Sequence, residues 1–171
     1  MAVDSGGNVF VADYYSVRKI DPTGMVTSLM SAVGTQPFFQ SAITVSPSGM
    51  LYLVANNSGS NAGAVYSINS TGTTALIAAQ IGKGGATGIV MGGDGNLYVT
   101  DRNSSSIYRV TLAGVVTTVV SSADLPIGTV LGGLPRKINS PSGLALLSTG
   151  NSVSLAVVDS FEHAILRVDL P

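Results

Sequence analysis

The chain has 171 residues, of which 45% are hydrophobic and only 10% charged, with a net charge of −1 and no cysteine. That much apolar material builds a sizeable core and argues against disorder, and the missing cysteines exclude a disulfide framework and a thiolate metal site. An isoelectric point near 5.6 argues against nucleic acid as a partner, since such domains lie above about 9.

No apolar run approaches the roughly 18 residues of a membrane helix, and no charged stretch followed by an apolar one marks a signal peptide at the N-terminus. Neither membrane insertion nor a targeting segment is expected from these residues.

Four short strands are expected at the start: Ala2-Val3-Asp4, then Asn8 to Ala12, Val17 to Ile20 and Met25 to Leu29. Turn residues punctuate each gap, as in Asp21-Pro22-Thr23-Gly24. The same grammar returns at Gly88-Ile89-Val90, Leu97 to Thr100, Ile107 to Val110 and Val115 to Val120, with no helical periodicity between. The second strand of each unit carries one phrase, an apolar run after a Gly/Asn turn that ends on Asp13, Asn56, Asp101 or Asp159. Those closing residues are spaced by 43, 45 and 58 positions. A period of about 40–45 residues with four strands per unit points to the blades of a β-propeller. Strands apolar on both faces fit sheets sandwiched between neighbours, while the mixed Thr and apolar residues of Val115 to Val120 fit a half-exposed outer strand. The expected fold is all-β: a single propeller domain over residues 1–171, with blades at about 1–34, 41–82, 86–124 and 141–171.

The motifs Pro141-Ser142-Gly143-Leu144-Ala145, Ala2-Val3-Asp4, Val11-Ala12-Asp13 and Asp21-Pro22-Thr23-Gly24 resemble the NHL repeat family of β-propellers over nearly the whole chain. Residues Ser121 to Ser140 look like the extended connector of that family. The resemblance implies a scaffold fold that serves many purposes. It also implies six blades, where four are visible here, the last lacking its outer strand. Three accounts follow: a segment of a larger propeller, closure in trans between chains, or a compact four-bladed ring with one short blade. An unpaired outer edge is in each open case a template for another strand.

Asp13, Asn56, Asp101 and Asp159 recur at one place in the unit, and the favoured role is structural, each capping the turn into the third strand. A cation or sugar site on one rim is the weaker alternative. The turns into the third strand vary most, and Tyr14, Tyr15, Arg102 and Phe161 are the best candidate contact residues on them. Asn56, Asn69 and Asn103 head Asn-x-Ser/Thr triplets, candidate N-glycosylation sites that suit an extracellular or cell-surface setting. His163, the single histidine, matches a blade-packing position of the family and cannot by itself build a multi-histidine zinc site.

Enzymes on related propellers, lactonase-like and lyase-like, place metals in the central channel on His, Glu, Asp and Asn. One His and one Glu do not meet that pattern. No metal, no cofactor and no catalytic residue is expected. The expectation is a non-enzymatic scaffold for a protein partner or for self-association. The alternative is part of a propeller enzyme whose catalytic residues lie on other blades.

Overall fold

A computed structural model of the chain describes residues 1–13, 16–30, 38–57, 61–121, 138–149 and 152–170. Its strands are β1 (Ala2–Val3), β2 (Val9–Asp13), β3 (Ser16–Ile20), β4 (Val26–Met30), β5 (Phe38–Val45), β6 (Leu51–Asn57), β7 (Ala62–Ile68), β8 (Thr74–Ile81), β9 (Ala86–Met91), β10 (Leu97–Asp101), β11 (Ser106–Val110), β12 (Val116–Val120), β13 (Pro141–Thr149), β14 (Ser152–Asp159) and β15 (Ala164–Asp169). They form four antiparallel meanders in chain order: β1 to β4, β5 to β8, β9 to β12 and the three-stranded β13 to β15. No helix occurs among the described residues, so none is long and apolar enough to cross a membrane. The architecture is that of a β-propeller.

The innermost strand of each sheet packs on the next sheet, β2 and β1 against β5, β5 and β6 against β9, and β9 and β10 against β13. Three apolar cores fill the successive gaps. Phe10, Val17 and Met30 pack with Leu53 and Ile68. Val54, Val65 and Ile81 pack with Leu97, Val99 and Val110. Tyr98, Ile107 and Val120 pack with Leu155, Leu166 and Val168. Sheets covered on both faces explain why β10 is buried at every position, whereas β2, in an end sheet, is only part-buried. In the fourth sheet burial alternates along β15: Ala164, Leu166 and Val168 face the third sheet, and Ile165 on the other face is 50% exposed. Val158, paired with Ile165, is exposed on that same face. Among the described residues, no comparable packing joins the fourth sheet to the first.

The outer strands carry a repeated irregularity. Pairing of the third with the fourth strand starts at Ile20↔Val26, Ile68↔Thr74 and Val110↔Val116, and in each sheet slips by one residue at the same step. The extra residue is Leu29, Ile77 and Val119, a β-bulge in all three outer strands. The turns that enter these strands are also alike. Asp21 Oδ1 accepts the amides of Thr23 and Met25 at 2.9 and 3.0 Å, and Asn69 Oδ1 those of Thr71 and Thr73 at 3.0 and 2.9 Å. Thr111 Oγ1 accepts that of Val115 at 3.0 Å. The Asn69-Ser70-Thr71 triplet is thus the same capped turn that Asp21 builds in the first sheet.

Candidate functional site

The strand-ending residues lie on one rim and tie loops together. Asp101, fully buried, accepts the amides of Lys83 and Gly85 through Oδ2 at 3.1 and 2.9 Å. Its Oδ1 accepts the amide and hydroxyl of Ser104 at 2.7 and 2.8 Å. Asp159, also fully buried, does the same one sheet later: Oδ2 accepts from Asn139 at 2.7 Å, and Oδ1 accepts from Ser140 and Glu162 at 3.1 and 3.3 Å. Each carboxylate therefore joins the loop after its own strand to the connector entering its sheet. At Asn56 the bonds run differently: Oδ1 accepts the Ala86 amide at 3.0 Å, while Nδ2 donates to the Ala86 carbonyl and to Ser41 Oγ, both at 2.8 Å. This amide spans from the second sheet to the third, and a glycan on Nδ2 would replace one of its two hydrogen-bonded N–H donors. Asp13 lies 3.7 Å from Arg18 in an ion pair more than half exposed on both sides, a geometry of small energetic weight.

Of the contact candidates, Arg102 and Phe161 lie among the described residues. Arg102 is exposed, and its amide donates to the Gly85 carbonyl at 2.9 Å. Phe161 is 67% exposed on the corresponding turn of the fourth sheet. Tyr14 and Tyr15 lie outside the described residues. Asn103 is exposed and donates from Nδ2 to the Lys83 carbonyl at 3.1 Å. His163 is not in the packing between sheets: it is exposed, in a turn, with φ +52°, and the buried neighbour is Ala164. The equivalent residue of the third sheet, Ser105, has φ +49°, so the position is set by the turn and not by packing.

Two cavities lie away from this rim. One, of about 400 Å³, lies where the inner strands of all four sheets approach, between Val3, Asp4, Val45, Met91 and Leu146. Its one carboxylate, Asp4, accepts from the Gly6 and Asn8 amides and from Asn8 Nδ2 at 2.8–2.9 Å. The bonds from Asn8, side chain then backbone, hold it below the usual carboxylate range. A carboxylate so occupied is a turn builder. Among the described residues no group of three or more His, Cys, Asp and Glu comes together to hold a metal ion.

The second cavity, about 520 Å³, was not legible in the sequence. It is a groove between the outer part of the third sheet and the end of the fourth, lined by Tyr98, Arg109, Thr117 to Val120 and Val168 to Leu170. Its size falls within the range of ligand and peptide sites. The Tyr98 hydroxyl donates to Asp94 Oδ2 at 3.0 Å, and burial, then this bond, pushes the phenol up to about 12. Burial alone would raise Asp94, but the bonds from Asn96 and Tyr98 outweigh it and hold the carboxyl below its ordinary value. Arg109 Nε is buried with no acceptor, a donor whose desolvation is uncompensated. Asp169 at the groove's end accepts from Arg167 Nε at 2.7 Å.

Solved structures of β-propellers match nearly the whole chain. Virginiamycin B lyase from Staphylococcus aureus is 18% identical, with a TM-score of 0.64 over 99% of this chain and 54% of that one. A protein of unknown function from Bacteroides thetaiotaomicron is 17% identical, with a TM-score of 0.69 over 97% of this chain and 45% of that one. A gluconolactonase from Xanthomonas campestris is 16% identical, with a TM-score of 0.62 over 99% of this chain and 60% of that one. At these identities the likeness establishes the fold alone. The chain spans about half the length of the structures it matches. No family model matches the chain, and no curated protein matches it in sequence.

Proposed function

We propose that this chain is an NHL-type propeller segment that acts as a non-enzymatic scaffold, binding a protein partner or further copies of itself through its loops and through the edge of β15. The carrying observation is the state of the fourth sheet. β15 pairs with β14 alone among the described strands, and the sheet's far face exposes Val158 and Ile165. An open edge beside exposed apolar residues favours strand addition and face-to-face packing by another polypeptide. The low charge and the Asn-x-Ser/Thr triplets support an extracellular or cell-surface setting, with Asn103 the most accessible of the three.

Light scattering behind size exclusion tests this. A defined multimer, returned to monomer by Ile165→Asp, is the expected result. A 17.3 kDa monomer at every concentration, indifferent to each partner offered, overturns it. The second reading, part of a propeller enzyme, draws on the lyase and gluconolactonase among the matching structures. Lactone hydrolysis or lyase activity that appears only when further blades are supplied would favour it.

A further inference from the structure

The turn between β7 and β8 differs from its counterparts by one nitrogen. In the first three sheets the third strand runs into the same backbone turn. Asp21, Asn69 and Thr111 each donate an amide to the carbonyl of Met25, Thr73 or Val115, at 3.0, 3.0 and 2.9 Å. Each also accepts, on its own carbonyl, the amide of Gly24, Gly72 or Gly114 at 2.9, 3.0 and 2.9 Å. The side chain then completes the turn with an oxygen: Asp21 Oδ1, Asn69 Oδ1 and Thr111 Oγ1 accept the amides of Met25, Thr73 and Val115. Three chemically different residues fill this place, so the turn requires an acceptor oxygen and no nitrogen.

Asn69 heads an Asn-x-Thr triplet, and the turn orders that triplet. The Thr71 hydroxyl donates to Asn69 Oδ1 at 2.8 Å, beside the amides of Thr71 and Thr73. Backbone amides only donate, so they fix which end of the carboxamide is oxygen, and Nδ2 takes no part in the turn. Ser70, Thr71 and Thr73 around it are exposed. The other two triplets engage their nitrogen. Asn56 Nδ2 donates to Ser41 Oγ and to the Ala86 carbonyl, between the second and third sheets. Asn103 Nδ2 donates to the Lys83 carbonyl, and a Cβ on Gly85 would stand only 2.5 Å from Asn103 Cγ. The Ser105 hydroxyl of that triplet is also engaged, donating to the Asn139 carbonyl. Exposure alone favours Asn103; the bonding favours Asn69.

We infer that Asn69 is the position at which this fold carries an N-linked oligosaccharide. The bond formed joins Nδ2 to the anomeric carbon of a sugar delivered as a lipid-linked diphospho-oligosaccharide. The bond broken is that from the anomeric carbon to the diphosphate, which leaves with the electron pair. The proton lost from Nδ2 passes to a base of the transferase. Oδ1 keeps its three donors, so the turn survives the modification. A glycan at Asn56 replaces a bonded donor between two sheets, and one at Asn103 has to clear the connector at Gly85. The inference rests on the extracellular reading and deepens it by naming the acceptor.

The test uses the full chain secreted from a eukaryotic cell line behind a heterologous signal sequence, so that delivery to the transferase does not depend on the chain's own setting. Enzymatic release of N-glycans converts each modified Asn to Asp, and peptide mass mapping then reads all three triplets. Asn69 is expected to be occupied, and its release is expected to leave the thermal midpoint unchanged. Release leaves Asp at 69, the residue that builds the same turn at Asp21. Asn69→Asp should likewise lose the glycan and keep the midpoint. Thr71→Ala should lose it with the asparagine still present, because the triplet requires the hydroxyl. Asn69 bare in the secreted chain, whatever Asn56 and Asn103 carry, overturns the inference and leaves the extracellular reading standing. A midpoint that rises when Asn69 alone is released also overturns it, because the fold then does not house the sugar. The native protein found only inside its cells, with Asn69 occupied in the secreted chain, overturns the extracellular reading alone.

Discussion

Asp101 Oδ2 accepts the amide of Gly85 at 2.9 Å, and the neighbouring Arg102 amide donates to the Gly85 carbonyl at the same distance. The end of β10 is thereby bonded on both sides to the connector entering β9, with the carboxylate fully buried. Removing it strands the donors of Lys83, Gly85 and Ser104. Asp101→Ala is expected to cost about 3 kcal/mol, since several charge-assisted bonds vanish and the Gly85 amide stays buried. Asp101→Asn should cost about half as much, because one oxygen persists. Urea unfolding monitored by circular dichroism gives both values, and a loss below that of an ordinary surface substitution would refute the assignment.

The turn glycines separate backbone strain from collision. Gly24, at φ +87°, has nothing within 4 Å of the place a Cβ would take, whereas a Cβ on Gly114, at the same φ, would meet the Ile77 carbonyl. Gly24→Ala should therefore cost only the left-handed penalty, about 1 kcal/mol. Gly114→Ala should cost that and the displacement of β8 from β12, about 2–3 kcal/mol in total. Equal denaturation midpoints for the two variants would show that the contact between sheets carries no weight.

The blades were legible because their signals are local. Short apolar runs between Gly, Asn and Asp turns place strands within a residue or two: the first unit's outer strand, expected at Met25 to Leu29, lies at Val26–Met30. The recurrence of Asp101 and Asp159 could be read, but their partners in the connectors, Lys83 and Gly85 or Asn139 and Ser140, could not, because nothing in a sequence states which amide a rim loop presents. His163 illustrates the same limit. Its match to a blade-packing position of the family implies packing between sheets, whereas a left-handed turn residue is set by the loop's geometry. Arg109 in Ile107-Tyr108-Arg109-Val110 reads as one charge in an outward strand; only the neighbouring sheet determines that its Nε is covered. The bulges were equally hidden, since a one-residue slip changes no composition.

Asn56 explains a departure within the repeat. The other closing residues are Asp, yet here the side chain both accepts from the Ala86 amide and donates to the Ala86 carbonyl. A carboxylate cannot donate, and Asn56→Asp would set an oxygen against the Ala86 carbonyl oxygen. The substitution is expected to cost about 2 kcal/mol near neutral pH, and less in mild acid, where a protonated carboxyl can donate again. Thermal unfolding of the variant at pH 7 and pH 4.5 checks both parts. A variant equally destabilised at the two pH values would show that the loss is one of shape and not of the missing donor.

Tyr98 sets the alkaline limit of the third sheet. Its phenol is pushed up to about 12 by burial and by the bond to Asp94, so the folded state holds the proton more tightly than the unfolded chain, whose tyrosines titrate near 10. A group raised in the folded state contributes stability that is fully present below the unfolded value and is lost as pH rises through the folded one. The contribution should thus be intact at pH 9 and decline from about 10 toward 12. Tyr52 and Tyr66 are raised as well, by burial alone, so Tyr98→Phe removes only part of the slope. Phenolate absorbance provides the direct readout: one tyrosine that ionises together with unfolding should vanish from the titration of Tyr98→Phe, and its persistence would mean that another phenol governs the transition.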